Sequence, residues 1–230
     1  MLKLVKLELK KSKLGWYVNG AIIANVIMAA LLCLIGYVKS NEGHAAFNGF
    51  PEAFVVIGAI VRATFIVFAA VLIAKLVIEE YKNKTITIMF SYPISRKKII
   101  ASKLWIVSGL TFITLVISNV FVAIVFFSVN AYWQFIPGSL TLEMVVQQVV
   151  SMFAFSFAAA GTSLIPLYFG MRKLSVPETI LSSILITATV SAHNPVFSLA
   201  SIIYIPLSLA VVGLVLAAVT IRRVEQVDVS

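Results

Sequence analysis

The chain has little of what water-soluble proteins are built from. Of its 230 residues only 12% are charged, and 61% are hydrophobic. A soluble domain is about 45–50% apolar and about 25% charged. The balance excludes a soluble globular domain and reads as one polytopic bundle of membrane helices, all-α. Acidic residues are few, nine against eighteen Lys/Arg. The basic ones sit in short loops between apolar segments, so orientation in a bilayer explains them better than nucleic acid does. No aromatic–basic patch of the kind that reads bases is present. One cysteine, Cys33, excludes an intrachain disulfide and a multi-cysteine metal site, and reads as a packed thiol inside an apolar run. No G-x-x-x-x-G-K-S/T phosphate loop occurs, so the chain has no recognisable means of using ATP itself. The two histidines, His44 and His193, fall near the expected outer surface with Glu52 and Glu143. A zinc site needs about three or four convergent ligands, so these read as solvated loop residues and no metal is expected. No linker, low-complexity segment or internal repeat is evident.

What is present is a series of long apolar runs. Residues 1–14 are basic and leucine-rich, with Lys3, Lys6, Lys10 and Lys13 at helical spacing beside Leu2, Val5 and Leu9. That favours a short helix lying on the membrane surface over a disordered basic tail. Trp16 to Val38 is 23 residues without a charge, enough to span, since about 20 are needed. It is too long for a signal-peptide core, and no A-x-A-like cleavage site follows it. Trp16 and Tyr17 suit the inner interface and Tyr37 the outer one. Further spans are expected over Phe54–Ile78, Leu104–Val129 and Val145–Phe169. Ala154, Ala158 and Thr162 in the last of these recur every fourth position, which allows close helix approach, and Pro166 is placed to kink its inner end. From Thr179 the apolar run lasts 14 residues before His193-Asn194-Pro195, or ~21 Å of helix against a core of about 30 Å. The fifth span, about 176–192, either borrows residues from Leu174 onward or bends and re-enters. Ser183, Thr187 and Ser191 share one of its faces and suit bonds to a neighbouring helix. The sixth runs about 199–221 and contains Pro206.

Sixteen of the eighteen Lys/Arg fall on one side of this arrangement, Lys39 on the other and Arg62 within the bilayer. Cationic loops stay in the cytoplasm, so six spans with both termini inside are expected. Lys75 sits near the inner end of the second span, where it can snorkel. Arg62 is eight residues from Phe54, ~12 Å along the helix and near mid-membrane, where an Arg costs about 2.5–3.5 kcal/mol to insert. Two readings stand level. Either it lines a substrate path and attracts an anionic or carbonyl-rich group, or it bonds Asn25 or Asn119 and fixes packing.

The stretch 79–103, EEYKNKTITIMFSYPISRKKIIASK, is the longest polar-bearing interruption and carries six Lys/Arg. Pro93 prevents a continuous helix, and Ser95 suits the N-cap of the helix that follows. Ile86, Met89 and Phe90 form an apolar patch beside Glu79, Glu80 and Lys82. An apolar anchor ringed by polar groups is what a force-bearing contact needs. Glu79-Glu80 also invites comparison with the membrane endopeptidases that process prenylated proteins, which carry Glu-Glu-x-x-x-Arg and distant histidines. Here Lys84 replaces the Arg, and both histidines are expected on the opposite side of the membrane, so no metal-activated water can form.

Within this stretch Glu79 or Glu80, Thr85, Ser91-Tyr92-Pro93-Ile94-Ser95-Arg96, Ile99 and Lys103 resemble the first inner loop of the ABC type-2 permeases. The six-span layout with a basic N-terminal surface helix is similar over nearly the whole chain; the specific motif covers about 25 residues. Many members have Gly before the Thr, where Lys84 stands here. The resemblance implies a non-enzymatic permease subunit in a bacterial plasma membrane. It implies pairing with a second permease chain, as homo- or heterodimer, and a separate cytoplasmic ATPase that binds ATP and Mg. Residues 79–103 would form the coupling helix on that ATPase, with Glu79, Glu80, Thr85, Met89, Phe90, Pro93, Ser95 and Arg96 as contacts. It also implies re-entrant helices between spans five and six, and a peptide or amphiphilic substrate, as in antimicrobial-peptide export or immunity systems. The other reading is an ATP-independent membrane binding, immunity or scaffold protein.

Overall fold

The computed structural model describes residues 2–11, 14–41, 47, 49–83, 95–133, 136, 141–190 and 204–223. Among these every regular element is helical. Helix α1 is Leu2–Lys11 and α2 is Gly15–Asn41. Helix α3 starts as Phe50–Ile73, widens into a π-helical turn at Ala74–Ile78 and ends on Glu79–Lys82. Then follow α4 (Arg96–Trp133), α5 (Leu142–Thr162), α6 (Ile165–Lys173), α7 (Val176–Val190) and α8 (Tyr204–Arg223).

Among the described residues five stretches are long and apolar enough to cross a membrane: Gly15–Ser40, Phe50–Lys82, Lys97–Trp133, Leu142–Lys173 and Tyr204–Arg222. The expected fifth span, α7, is an apolar helix of only 15 residues, ~22 Å long. Residues 191–203, with Ser191, His193 and the expected re-entrant piece, lie outside the described residues, as does His44.

Several boundaries differ from the sequence reading, each for a physical reason. Helix α4 begins at Arg96, directly after the expected N-cap Ser95, so its charged first turns precede the apolar span expected from Leu104. The fourth span breaks at Ser163–Leu164, and Pro166 falls in the first turn of α6. There its missing N–H has no helical partner to lose. Pro206 is the third residue of α8 as described, Tyr204–Arg223. Leu174 ends α6 in the left-handed region at φ 50°, which turns the chain sharply into α7.

Helix α3 is the spine. In its most apolar window 56% of residues are buried, against 28% in α2, α4 and α8. It packs against α2, α4, α5, α6 and α7. The core around it falls into two clusters. One joins Met28 and Leu32 of α2, Ile57, Val61 and Phe65 of α3, and Leu115, Val122 and Phe126 of α4. The other joins Tyr17, Leu72, Leu76 and Ile78 to Ile100 and Leu104 of α4, Leu167 of α6 and Ala217 of α8. Val5, Met171, Val176 and Ile221 pack on that second cluster. The antiparallel helices thus gather α1, the end of α3, the start of α4, the α6–α7 turn and the end of α8 at one basic end of the bundle. Tyr17, expected at an interface, is buried there, its hydroxyl 3.0 Å from that of Thr114. Tyr37 and Trp133 meet edge to face at 5.1 Å at the opposite end.

Helices α5 and α8 approach at backbone distance. Ala158 and Thr162 are buried as expected, but the closest point is Gly161, where a Cβ would stand 2.7 Å from the Ala210 Cβ. A Cβ on Gly213 would collide with the Gly161 carbonyl oxygen. Ser183 and Thr187 do not bridge to a neighbour. Their hydroxyls donate to carbonyls of their own helix, at Ile180 and Ser183, which is how a hydroxyl is satisfied most locally. Gly213→Leu should therefore force α8 off α5 and cost about 2–3 kcal/mol, the upper range for overpacking. Gly109→Leu, where a Cβ meets nothing within 4 Å, should leave thermal unfolding in detergent unchanged or slightly raised.

Candidate functional site

Among the described residues two cations are buried in this apolar bundle. The first is Lys103, on the second turn of α4. Its Nζ donates to the Leu76 carbonyl at 2.7 Å and to Glu80 Oε2 at 2.6 Å, and pairs with Glu8 Oε1 at 2.8 Å. An ammonium has three N–H donors, and here each has an oxygen. Lys103 is fully buried and Glu8 is 7% exposed. Lys11 closes the cluster from α1, 2.9 Å from the other oxygen of Glu80. Two lysines thus balance two carboxylates.

Local structure explains the access. The Glu79 N–H bonds to the Ala74 carbonyl five residues back. Such a widened turn loosens the carbonyl ladder and lets a side-chain donor reach into it. Lys103 is expected as the last residue of the inner-loop motif, and α1 as a basic surface helix with Val5 and Leu9 beside its lysine stripe. In the fold Val5 packs on the core, Leu9 is exposed and Glu8 is the buried residue. The signal available was that Glu8 is the only acid among the residues of α1.

The expected coupling residues divide. Glu79 is exposed, and Glu80 is half-buried in the Lys103 cluster. Ser95 precedes α4, and its carbonyl accepts from the backbone N–H of Lys98 at 2.9 Å, as an N-cap residue's carbonyl does. Arg96 opens the helix. Thr85, Met89, Phe90 and Pro93 lie outside the described residues. Lys75 extends from α3 so that Nζ stands 4.2 Å from the centroid of the Trp16 ring, over its face, a cation–π contact.

The second cation is Arg62 of α3, 8% exposed. Its guanidinium lies 4.5 Å over the Phe155 ring of α5. It has room because position 58 is glycine: a Cβ there would be 3.2 Å from Arg62 Nη1. Arg62 and Asn119 line one cavity of about 130 Å³ with Gln148, Ser151 and Ser156. Asn119 donates its amide to the Leu115 carbonyl at 2.8 Å. Asn25, the other expected partner, lies elsewhere, with its buried Oδ1 unbonded. Among the described residues no group of three or more His, Cys, Asp or Glu is placed to hold a metal ion.

A helical bundle of membrane-length apolar helices, basic at one end, defines a multi-pass membrane protein. The chain belongs to the ABC-2 family of transporter proteins, whose family model matches residues 4–189, and so represents the membrane component of an ABC transporter. It is 53% identical over 227 residues to the uncharacterized protein YcbO of Bacillus subtilis (strain 168), covering 99% of this chain and 100% of that one.

Lys103→Met should be severely destabilising, by about 3–5 kcal/mol, because it removes the buried cation that Glu8 and Glu80 share. Removing the carboxylates as well, in a Lys103→Met, Glu8→Gln, Glu80→Gln triple variant, should restore most of the loss. Lys11→Ala, at a half-exposed lysine, should cost about 1 kcal/mol or less. Thermal unfolding of the purified protein in one detergent checks all three.

Proposed function

We propose that the chain is the permease subunit of an exporter in a bacterial plasma membrane, moved by a separate cytoplasmic ABC ATPase that binds ATP and Mg. The basic end faces the cytoplasm on this reading, as cationic segments do. The ATPase docks on residues 79–103. The observation that carries the reading is the Lys103 cluster. It ties together Glu80 before the coupling segment, Lys103 after it, and Glu8 of α1. A push on the segment then cannot move the end of α3 without the start of α4, and α1 travels with both. ATP binding by the partner would shift the permease between access states in proportion to how differently the two states contact it.

A second permease chain completes the pathway. The broad exposed apolar faces of α2, α4 and α8, including Trp105 and Leu214, leave ample surface for that chain and for lipid. The substrate class is a peptide or an amphiphile.

A tagged chain, solubilised mildly from its native membrane, should retain an ATPase subunit and vanadate-sensitive hydrolysis. Phe90→Ala and Pro93→Ala should reduce that retention or activity by about tenfold, the loss of one anchor residue of about 1–2 kcal/mol. Normal co-purification and hydrolysis in both variants would overturn the docking assignment. The absence of any ATPase in the native complex would favour an ATP-independent binding, immunity or scaffold protein.

A further inference from the structure

Arg62 differs from Lys103 in having no answering oxygen. Among the described residues it makes no ion pair and no hydrogen bond, and its guanidinium lies against the Phe155 face. It is nonetheless 92% buried, by its 8% exposure. Ser156, buried to 1% on the same cavity wall, also has an Oγ with no partner. Unsatisfied donors in an apolar interior are costly, and here two of them line one space, with Gln148 and Ser151 beside them. At about 130 Å³, the space is that of about four waters at ~30 Å³ each, enough for a carboxylate or phosphate head.

The cavity has a neighbour. It shares Phe54, Asn119, Gln148 and Met152 with a groove of about 490 Å³ between α4 and α5. The rest of that groove is mostly apolar, and its rim residues Val120, Ile124 and Val149 are exposed on the bundle surface, where hydrocarbon would meet them. Its volume lies within the range of ligand sites, about 300–1,000 Å³. A charged compartment adjoining an apolar one is complementary to one kind of molecule.

We infer that the Arg62 cavity and the α4–α5 groove together bind a single-chain amphiphile with an anionic head, taken sideways from the bilayer, its head on Arg62 and Ser156 and its chain along Ile124 and Val149. As a statement of what is transported, this rests on the permease reading; as a statement of what is bound, it does not.

The test uses the full chain in nanodiscs of phosphatidylcholine, without any ATPase, so that failure of the docking assignment leaves it untouched. Hexadecanoate is the anionic probe and monohexadecanoylglycerol the uncharged one. Wild type should bind hexadecanoate saturably. Arg62→Gln should weaken that binding at least about tenfold, as expected for a charge-assisted contact, and leave the uncharged probe unchanged. Arg62→Lys, which keeps the charge, should lose less. Ile124→Trp, which leaves Arg62 in place and narrows the groove, should weaken both probes. Equal hexadecanoate affinity in wild type and Arg62→Gln would overturn the proposal, as would a lowered unfolding temperature with unchanged binding. So would phosphatidylglycerol competing as well as hexadecanoate, which would make this a site for ordinary two-chain lipid.

Discussion

A cation taken out of water must find an oxygen for each of its protons, and the basic end of this bundle is arranged around that requirement. Desolvating an ammonium and two carboxylates costs several kcal/mol per ion. Only near-ideal geometry offsets it, and Lys103 reaches Leu76, Glu80 and Glu8 at 2.6–2.8 Å. The consequence is mechanical. Three elements far apart in the chain become one rigid corner, framing the segment on which a soluble partner is proposed to act.

The second buried cation shows the opposite solution. Arg62 stands 14 residues before Leu76 on the same helix, ~21 Å along its axis. No oxygen has been supplied to it; instead a glycine clears space and an aromatic face supports one side. The contrast separates a cation that holds structure from one left open to a visitor. Both touch α3, the most buried helix, and on the proposed reading axial movement at the Lys103 corner reaches the Arg62 cavity along one continuous rod, interrupted only by the π-helical turn. Such turns recur at functional sites because the extra residue can shift along the helix.

Much of this was legible in the sequence because the bilayer is so demanding a solvent. Apolar runs of 20 or more residues can hardly be anything but spans, and the basic segments between them collect at one end. The family came into view through the Ser-Tyr-Pro-Ile-Ser-Arg stretch, and the isolation of Arg62 among apolar residues was evident without coordinates. Charge and hydropathy act at each position separately, so a linear reading captures them.

What needed the tertiary structure is whatever depends on two distant positions meeting. Lys103 stands in the loop motif of the sequence, but its partner Glu8 lies 95 residues earlier, and only the fold brings the two together. The α5–α8 seam comes to backbone distance at Gly161 and Gly213, positions that the Ala154–Ala158–Thr162 spacing did not single out, since close approach is decided by which faces oppose. Asn119 shares a cavity with Arg62 and Asn25 does not, although both are equally polar residues in apolar helices. Periodicity and composition fix which residues enter the membrane; only packing fixes which of them answer one another, because pairing depends on helix rotation and offset, and neither is written in any single segment.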